Sequence, residues 1–218
     1  MNQYNLFQRT EKLFKRICLR VLFGINRLKF KVAINKEDLN LVYHLSWKIY
    51  GQELQYINPN DYPDQKYSDK YDKYSVNFLA LKHNKAIGTL RLIFHSPLGF
   101  YIEKDFPIVQ PPIKPEEIAE LSQFIILKEY RGGKRLASFG LFKKAFEFSK
   151  QKGITHWYAL MGEKLKNSFE KYGIKISSLS YGEFTENYLK EREIMSHYYK
   201  KVRPLPYLIS LKEVGKML

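Results

Sequence analysis

A single carboxylate stands in the most apolar run of this sequence. Ile118 to Leu127 reads Ile-Ala-Glu-Leu-Ser-Gln-Phe-Ile-Ile-Leu, and Glu120 is its only charge. A carboxylate in the middle of an apolar strand is costly unless it is paired or functional. In one reading Glu120 takes a proton from an incoming amine, directly or through a water. In the other it forms a structural ion pair with Arg91 on a neighbouring strand. The residues alone leave both readings open. Just beyond this run come Arg131-Gly132-Gly133-Lys134-Arg135 and a helical pattern from Leu136 to Gln151. A helix N-terminus offers free N–H groups and the positive end of a dipole, so three basic side chains beside it make a phosphate cradle. The plainer alternative is a basic surface turn.

The elements that must position these groups follow from periodicity. Val76 to Lys82 and Ala86 to Phe94 alternate like the arms of a hairpin around His83-Asn84-Lys85. Phe30 to Ile34 and Thr155 to Met161 read as further strands, and Phe100 to Phe106 and Ile174 to Ser180 as shorter extended segments. Helical spacing covers Lys36 to Tyr50, Leu136 to Gln151, Glu163 to Tyr172 and Asn187 to Lys201, and Pro204 to Pro206 reads as a break. The stretch from Ile57 to Tyr74 is polar and rich in tyrosine and aspartate, a loop long enough to suggest a functional role. This order predicts an α+β fold with a central mixed, mostly antiparallel sheet flanked by helices.

Residues 5 to 29 carry apolar side chains at helical spacing and seven basic charges against one acidic, a basic amphipathic helix. Such a helix either packs its stripe on the domain or lies on an anionic membrane. The expected division is therefore an N-terminal helix over 1–29 and one domain over 30–218.

The 218 residues carry a formal net charge of +15, which calls for an acidic partner. Nucleic acid, an anionic membrane and an acidic carrier protein all satisfy it. No RNA- or DNA-binding motif accompanies the scattered basic residues, so nucleic acid is not expected. Cys18 is the only cysteine, which excludes an internal disulfide, and the five histidines lack metal-ligand spacing, so no metal is expected. No stretch reaches the roughly 20 apolar residues that span a bilayer. The expected compartment is the cytoplasm, with the inner membrane face as a peripheral site.

An ordered series of motifs resembles a known family. Gly88-Thr89-Leu90-Arg91-Leu92-Ile93, then Phe106, then Glu120-Leu121-Ser122-Gln123-Phe124 are similar to the signature of autoinducer (acyl-homoserine lactone) synthases. Tyr62-Pro63 through Asp69 and Asp72, with Ser75 and Phe78, resembles N-acyl amino acid synthases and exosortase-associated acyltransferases still more. The resemblance spans about residues 30 to 180. It implies the GNAT fold and an enzyme, an acyltransferase that joins a fatty acyl thioester to an amine. The donor it implies is an acyl carrier protein bearing a phosphopantetheine thioester, or acyl-CoA, with no bound cofactor. The acceptor is an amino acid or similar small amine.

By the same resemblance Glu120 and Arg91 are catalytic, and Asp69, Asp72, Ser122 and Gln123 bind the acceptor. Phe106, Phe124, Ile126, Tyr158 and Leu160, with the turn Arg131, Gly132, Gly133, Lys134 and Arg135, serve the acyl and pantetheine groups. Autoinducer synthases typically carry arginine where Ser46 and Gln123 stand, which turns the expectation from an S-adenosylmethionine acceptor towards an amino acid. Lys134 and Leu136 replace glycines of the usual acyl-CoA loop, which favours the carrier protein. The alternatives within the enzyme class are an acyl-homoserine lactone synthase and a membrane-lipid, ornithine-type acyltransferase. Outside it stands a non-catalytic acyl- or nucleic-acid-binding protein.

Overall fold

The structure, a computed structural model, describes residues 21–131, 136–171, 173–183 and 196–217. Seven strands, β1 (Leu28–Ala33), β2 (Ser75–Lys82), β3 (Lys85–Phe94), β4 (Ile118–Ile126), β5 (His156–Met161), β6 (Ile176–Ser178) and β7 (Leu205–Ser210), form one sheet. Their order is β1-β2-β3-β4-β5-β7-β6, and only β4 and β5 run parallel. This is the mixed, mostly antiparallel α+β arrangement the sequence predicts.

Six helices flank the sheet among the described residues: α1 (Lys36–Trp47), α2 (Ile102–Asp105), α3 (Leu136–Gln151), α4 (Glu163–Lys171), α5 (Ser196–Val202) and α6 (Leu211–Met217). Asn35 caps α1 by accepting from the Asp38 N–H at 2.8 Å, and α1 runs on into a π-helical turn, Lys48–Glu53. Two layers of core follow from strand alternation. On one face α3 lays Leu141, Phe142 and Ala145 against Phe78, Leu90, Leu92 and Trp157. On the other, Val42 and Leu45 of α1 pack towards Leu79 and Ile125, and α2 joins an aromatic cluster with Tyr158 and Tyr199.

Several boundaries differ from expectation. Leu28 and Lys29 belong to β1, because Leu28, Phe30 and Val32 alternate onto the core. Of the helix expected over 5–29, residues 21–25 are helical and residues up to 20 lie outside the described ones. The hairpin closes on His83 and Asn84 alone, both at positive φ (49° and 64°), which pairs Lys82 with Lys85. Phe100 to Phe106 is not extended but contains α2. Glu103 turns back to accept from the Phe100 N–H at 2.8 Å, and the Phe106 N–H closes the turn on the Ile102 carbonyl. Pro206 lies within β7 rather than in a break, opposite Leu160, and its carbonyl accepts from the Leu179 N–H. The helix expected over 187–201 is described from Ser196 onward.

Two features position the site. The β4–β5 pairing stops after Leu121 and Ala159, so the strands part beyond that point and leave a seam in the middle of the sheet. Gly88 sits where β3 meets β4, and a Cβ there would lie 2.8 Å from the Ile125 carbonyl oxygen and 2.5 Å from Ile126 Cδ1. Backbone cannot retreat cheaply, so we expect Gly88→Ala to cost about 1–3 kcal/mol by overpacking. Thermal melts of the two proteins check this, and an unchanged midpoint would refute it.

Candidate active site

The site is built on an irregularity in β4. Thr89 pairs with Ile125 but Arg91 pairs with Ser122, so β4 carries one residue more than β3 over this stretch, and Gln123 stands there at φ 45°. Consecutive strand residues ordinarily point to opposite faces. The bulge lets Ser122 and Gln123 both reach Arg91. The Ser122 Oγ accepts from Arg91 Nη2 at 3.3 Å. Turned with its oxygen to the guanidinium, the Gln123 amide accepts from both terminal nitrogens at 3.2 Å. The Ser46 hydroxyl lies 3.4 Å away on the other side of that amide. The two positions where autoinducer synthases typically carry arginine are thus neighbours here.

Arg91 is 1% exposed and is the centre of the network. Its terminal nitrogens form a bidentate pair with Asp69, 2.9 Å on each arm, and Nη1 lies 3.4 Å from Asp72 Oδ1. Burial alone would lower the guanidinium pKa, but the charge and hydrogen bonds of Asp69 outweigh it and hold Arg91 protonated. Burial pushes the Asp72 carboxyl up from its ordinary value against the pull of Arg91. The aspartates also shape the loop. Asp72 accepts from the Asp69 N–H at 2.7 Å and Asp69 from the Tyr71 N–H at 2.8 Å.

Glu120, two residues before Ser122, points to the same face and is 2% exposed. Its Oε2 accepts from the Ile102 N–H at 3.0 Å, and the Tyr101 N–H adds a second main-chain donor. The ion pairs of Arg91 go to Asp69 and Asp72. Desolvation dominates the Glu120 carboxyl and raises it to about 8, against the lowering effect of those hydrogen bonds and of Arg91. A carboxyl with that pKa is poised to exchange a proton near neutral pH.

A cavity of about 630 Å³ runs from this cluster into the seam between β4 and β5. Asp69, Arg91, Glu120, Ser122, Gln123, Phe124 and Leu160 all line it, and Asp72 reaches it through Arg91. Its apolar end is walled by Phe124, Phe142, Met161, Leu165 and Phe169, with Phe142 packed against both other rings. Other expected residues lie elsewhere. Phe106 and Tyr158 belong to the aromatic cluster around α2, and Ile126 to the main core. Arg131, which does not line the cavity, pairs with Glu53 and donates to the Ile126 carbonyl at 2.7 Å. Gly132, Gly133, Lys134 and Arg135 lie outside the described residues.

Five tyrosines that the motifs did not single out line the cavity: Tyr50, Tyr56, Tyr67, Tyr101 and Tyr198. Tyr56 and Tyr198 meet edge to face at 5.0 Å, joining the segment after α1 to α5. The tyrosine-rich composition of the long loop was the available signal for Tyr67, whereas nothing local marked Tyr101 or Tyr198.

A split mixed sheet, a buried arginine paired with two aspartates and a buried glutamate at the head of an apolar slot fit an acyltransferase of the N-acyl amino acid synthase and acyl-homoserine lactone synthase kind. The chain belongs to the family of the N-acyl amino acid synthase FeeM, whose model matches residues 41–175. The fold is similar to the crystal structure of the AHL synthase LasI, with a TM-score of 0.62 and 16% identity over 84% of this chain and 90% of that one. It is similar to the CoA-dependent acyl-homoserine lactone synthase BjaI with SAM and isopentyl-CoA (0.60, 18%, 87% and 86%). It is also similar to FeeM, an N-acyl amino acid synthase from uncultured soil microbes (0.54, 12%, 84% and 88%). At these identities the likeness carries the fold alone. No curated protein matches the chain by sequence.

The Glu120 carboxyl makes stability fall with pH. Between its ordinary value of 4.5 and about 8 the folded state holds a proton that the unfolded state has lost, so stability declines as pH rises through that window. Glu120→Gln removes this penalty, on the order of 4 kcal/mol at pH 8 and above. Its melting temperature is expected to exceed that of the wild type at pH 8 and to converge with it near pH 4; parallel curves at both pH values would refute the assignment. Removing the Arg91 charge by Arg91→Met leaves two carboxylates unpaired and is expected to cost about 3–5 kcal/mol, read by urea unfolding.

Proposed function

We propose that the enzyme transfers a fatty acyl group from an acyl carrier protein thioester to the amine of an amino acid. The observation that carries this reading is Glu120, held near pH 8 by burial at the head of an apolar cavity that threads the β4–β5 seam. The acyl chain lies in the seam, with its carbonyl near Glu120. The amine nitrogen attacks that carbonyl, the C–N bond forms and the C–S bond breaks. An ammonium acceptor first gives one proton to the Glu120 carboxylate; the proton lost from nitrogen after attack goes to the departing thiolate. The products are the amide and the free carrier thiol. Arg91 holds Asp69 and Asp72, and with them the loop over the acceptor, in place.

The net charge of +15 suits an acidic carrier protein. The turn 131–135 entering α3 is the proposed phosphate cradle, with the Arg131 side chain held by Glu53. The proposed setting is the cytoplasm, at the inner membrane face. Val21 and Ile25, 52% and 74% exposed in the helical stretch 21–25, favour peripheral membrane contact, and a lipid-type acceptor is the second reading. No described helix is long and apolar enough to cross a membrane.

Mass spectrometry of organic extracts from cells expressing wild type and Glu120→Gln tests the reaction. The wild type is expected to accumulate an N-acyl amino acid that the variant lacks, a loss of at least a hundredfold. Acyl-homoserine lactones instead would overturn the acceptor assignment, and an N-acylated lipid would favour the second reading. With purified protein the rate is expected to rise with pH and level off above about 8, as Glu120 ionises.

A further inference from the structure

The guanidinium of Arg91 is answered at one end and not at the other. Asp69 meets its two terminal nitrogens end-on, and Asp72, Ser122 and the turned Gln123 amide share them. The remaining donor is the Nε–H, the one nearest the strand. It is buried and has no hydrogen-bond partner among the described residues. Asn77 presents the complementary case. It is 2% exposed, and its side-chain oxygen also has no partner among the described residues. Asn77 and Arg91 stand directly opposite each other in the antiparallel β2–β3 ladder. Residues so opposed share a face of the sheet, with Cβ atoms roughly 4.5–5.5 Å apart.

Packing gives the amide no reason to be there. Its cross-strand neighbour on β1 is Ala33, which offers only a methyl group. Leu79, two residues along on the same face, packs with Val42 of α1. An apolar side chain would suit that setting at no polar cost. A buried donor and a buried acceptor side by side are each expensive to leave unmade, and one small group can relieve both. That group must accept from the Nε–H and donate to the amide oxygen, because the two atoms do not bond each other. Water does both. We propose that a buried water bridges Arg91 Nε and Asn77 Oδ1, and that Asn77 is a positioning residue acting through it on Arg91.

The bridge fixes the guanidinium at both ends. Asp69 holds its outer edge, and Asn77 holds the nitrogen nearest the strand. A planar fork gripped twice cannot twist about its stem, so the direction in which it presents its terminal N–H groups is set from the sheet side. Asn77 thereby helps to decide where Asp69 and Asp72 stand, although it does not line the cavity. The assignment holds whichever acyl donor and acceptor the enzyme takes.

Asn77→Leu in the full chain tests this by the sign of its effect. Loss of the acceptor strands the Nε–H, so the melting temperature is expected to fall by about 2–4 °C. In an Arg91→Met background no guanidinium is left to satisfy, and the same substitution should cost nothing. A rise in the wild-type background would mean an amide without a partner. Equal losses in both backgrounds would mean overpacking. Either result overturns the proposal. Nitrogen-15 NMR of the Arg91 Nε–H is the second measurement, and it needs no Arg91 variant to fold. The signal is expected to exchange slowly and to show a cross peak to water with the sign of a long-lived bound molecule. Asn77→Leu should abolish that cross peak, and Asn77→Asp, which keeps the oxygen, should retain it. No cross peak in the wild type, or one unchanged in Asn77→Leu, would also overturn the proposal. With purified enzyme, Asn77→Leu is expected to raise the acceptor KM about tenfold, the weight of one hydrogen bond to a charged group, with little change in kcat. An unchanged KM would overturn the positioning role. A bridging water in a protein that makes no acylated product would leave the bridge standing and sink the transfer reaction instead.

Discussion

One ion pair ties the long loop to the sheet. The segment between the π-helical turn and β2 contains only two short 3-10 turns, Pro59–Asp61 and Asp72–Tyr74, and such a stretch has little of its own to hold it. Arg91, rigid in a central strand, meets Asp69 with both arms and Asp72 with one. A planar fork against a carboxylate fixes direction as well as distance, which a lysine could not do. Tyr67 of the loop is held as well by its N–H on the Tyr43 carbonyl of α1 at 3.0 Å and by packing against Trp47 and Ile57. Removing the arginine would strand two partly buried carboxylates.

The pair also decides how Glu120 behaves. With Arg91 neutralised by the aspartates, the guanidinium only partly offsets the desolvation of Glu120, and main-chain donors from Tyr101 and Ile102 are too few to keep it ionised. Burying this carboxyl costs stability once it ionises, a cost of the kind that clusters at functional sites and that a scaffold offsets elsewhere. The scaffold compensates on the opposite face, where α3 and the sheet bury Phe78, Leu90, Leu92, Leu141 and Trp157 almost completely.

Much of this was legible in the sequence because it follows from period and contrast. A strand's alternation identified β2 and β3, and a lone charge among apolar neighbours identified Glu120. The aspartate pair and Arg91 came from the order of motifs, and the structure joins them. What escaped was set by tertiary contacts. Phe100 to Phe106 alternates well enough for a strand, but the Glu103 side chain binding the Phe100 N–H favours a helical turn. The bulge at Gln123 leaves no mark in composition, although it decides which face that side chain serves. Phe106, Ile126 and Tyr158 satisfied an apolar pattern that core packing uses as readily as a substrate channel does. Tyr101 and Tyr198 reach the cavity from elements distant in sequence, beyond what any local pattern could indicate.

The strand order has a consequence for how the chain acquires its shape. The first five strands sit in the sheet in the order in which they occur, so each can add to an edge already present. The last two do not grow this way. β7 lies between β5 and β6, although it follows both in the chain. β6 therefore has no place to dock until residues 205–210 have been synthesised and have left the ribosome. The first five strands can fold while translation continues, whereas the wall of the seam formed by β5, β6 and β7 is completed in a single late step. Until then β5 presents an open edge, and that interval is when this protein is most exposed to mispairing with another chain.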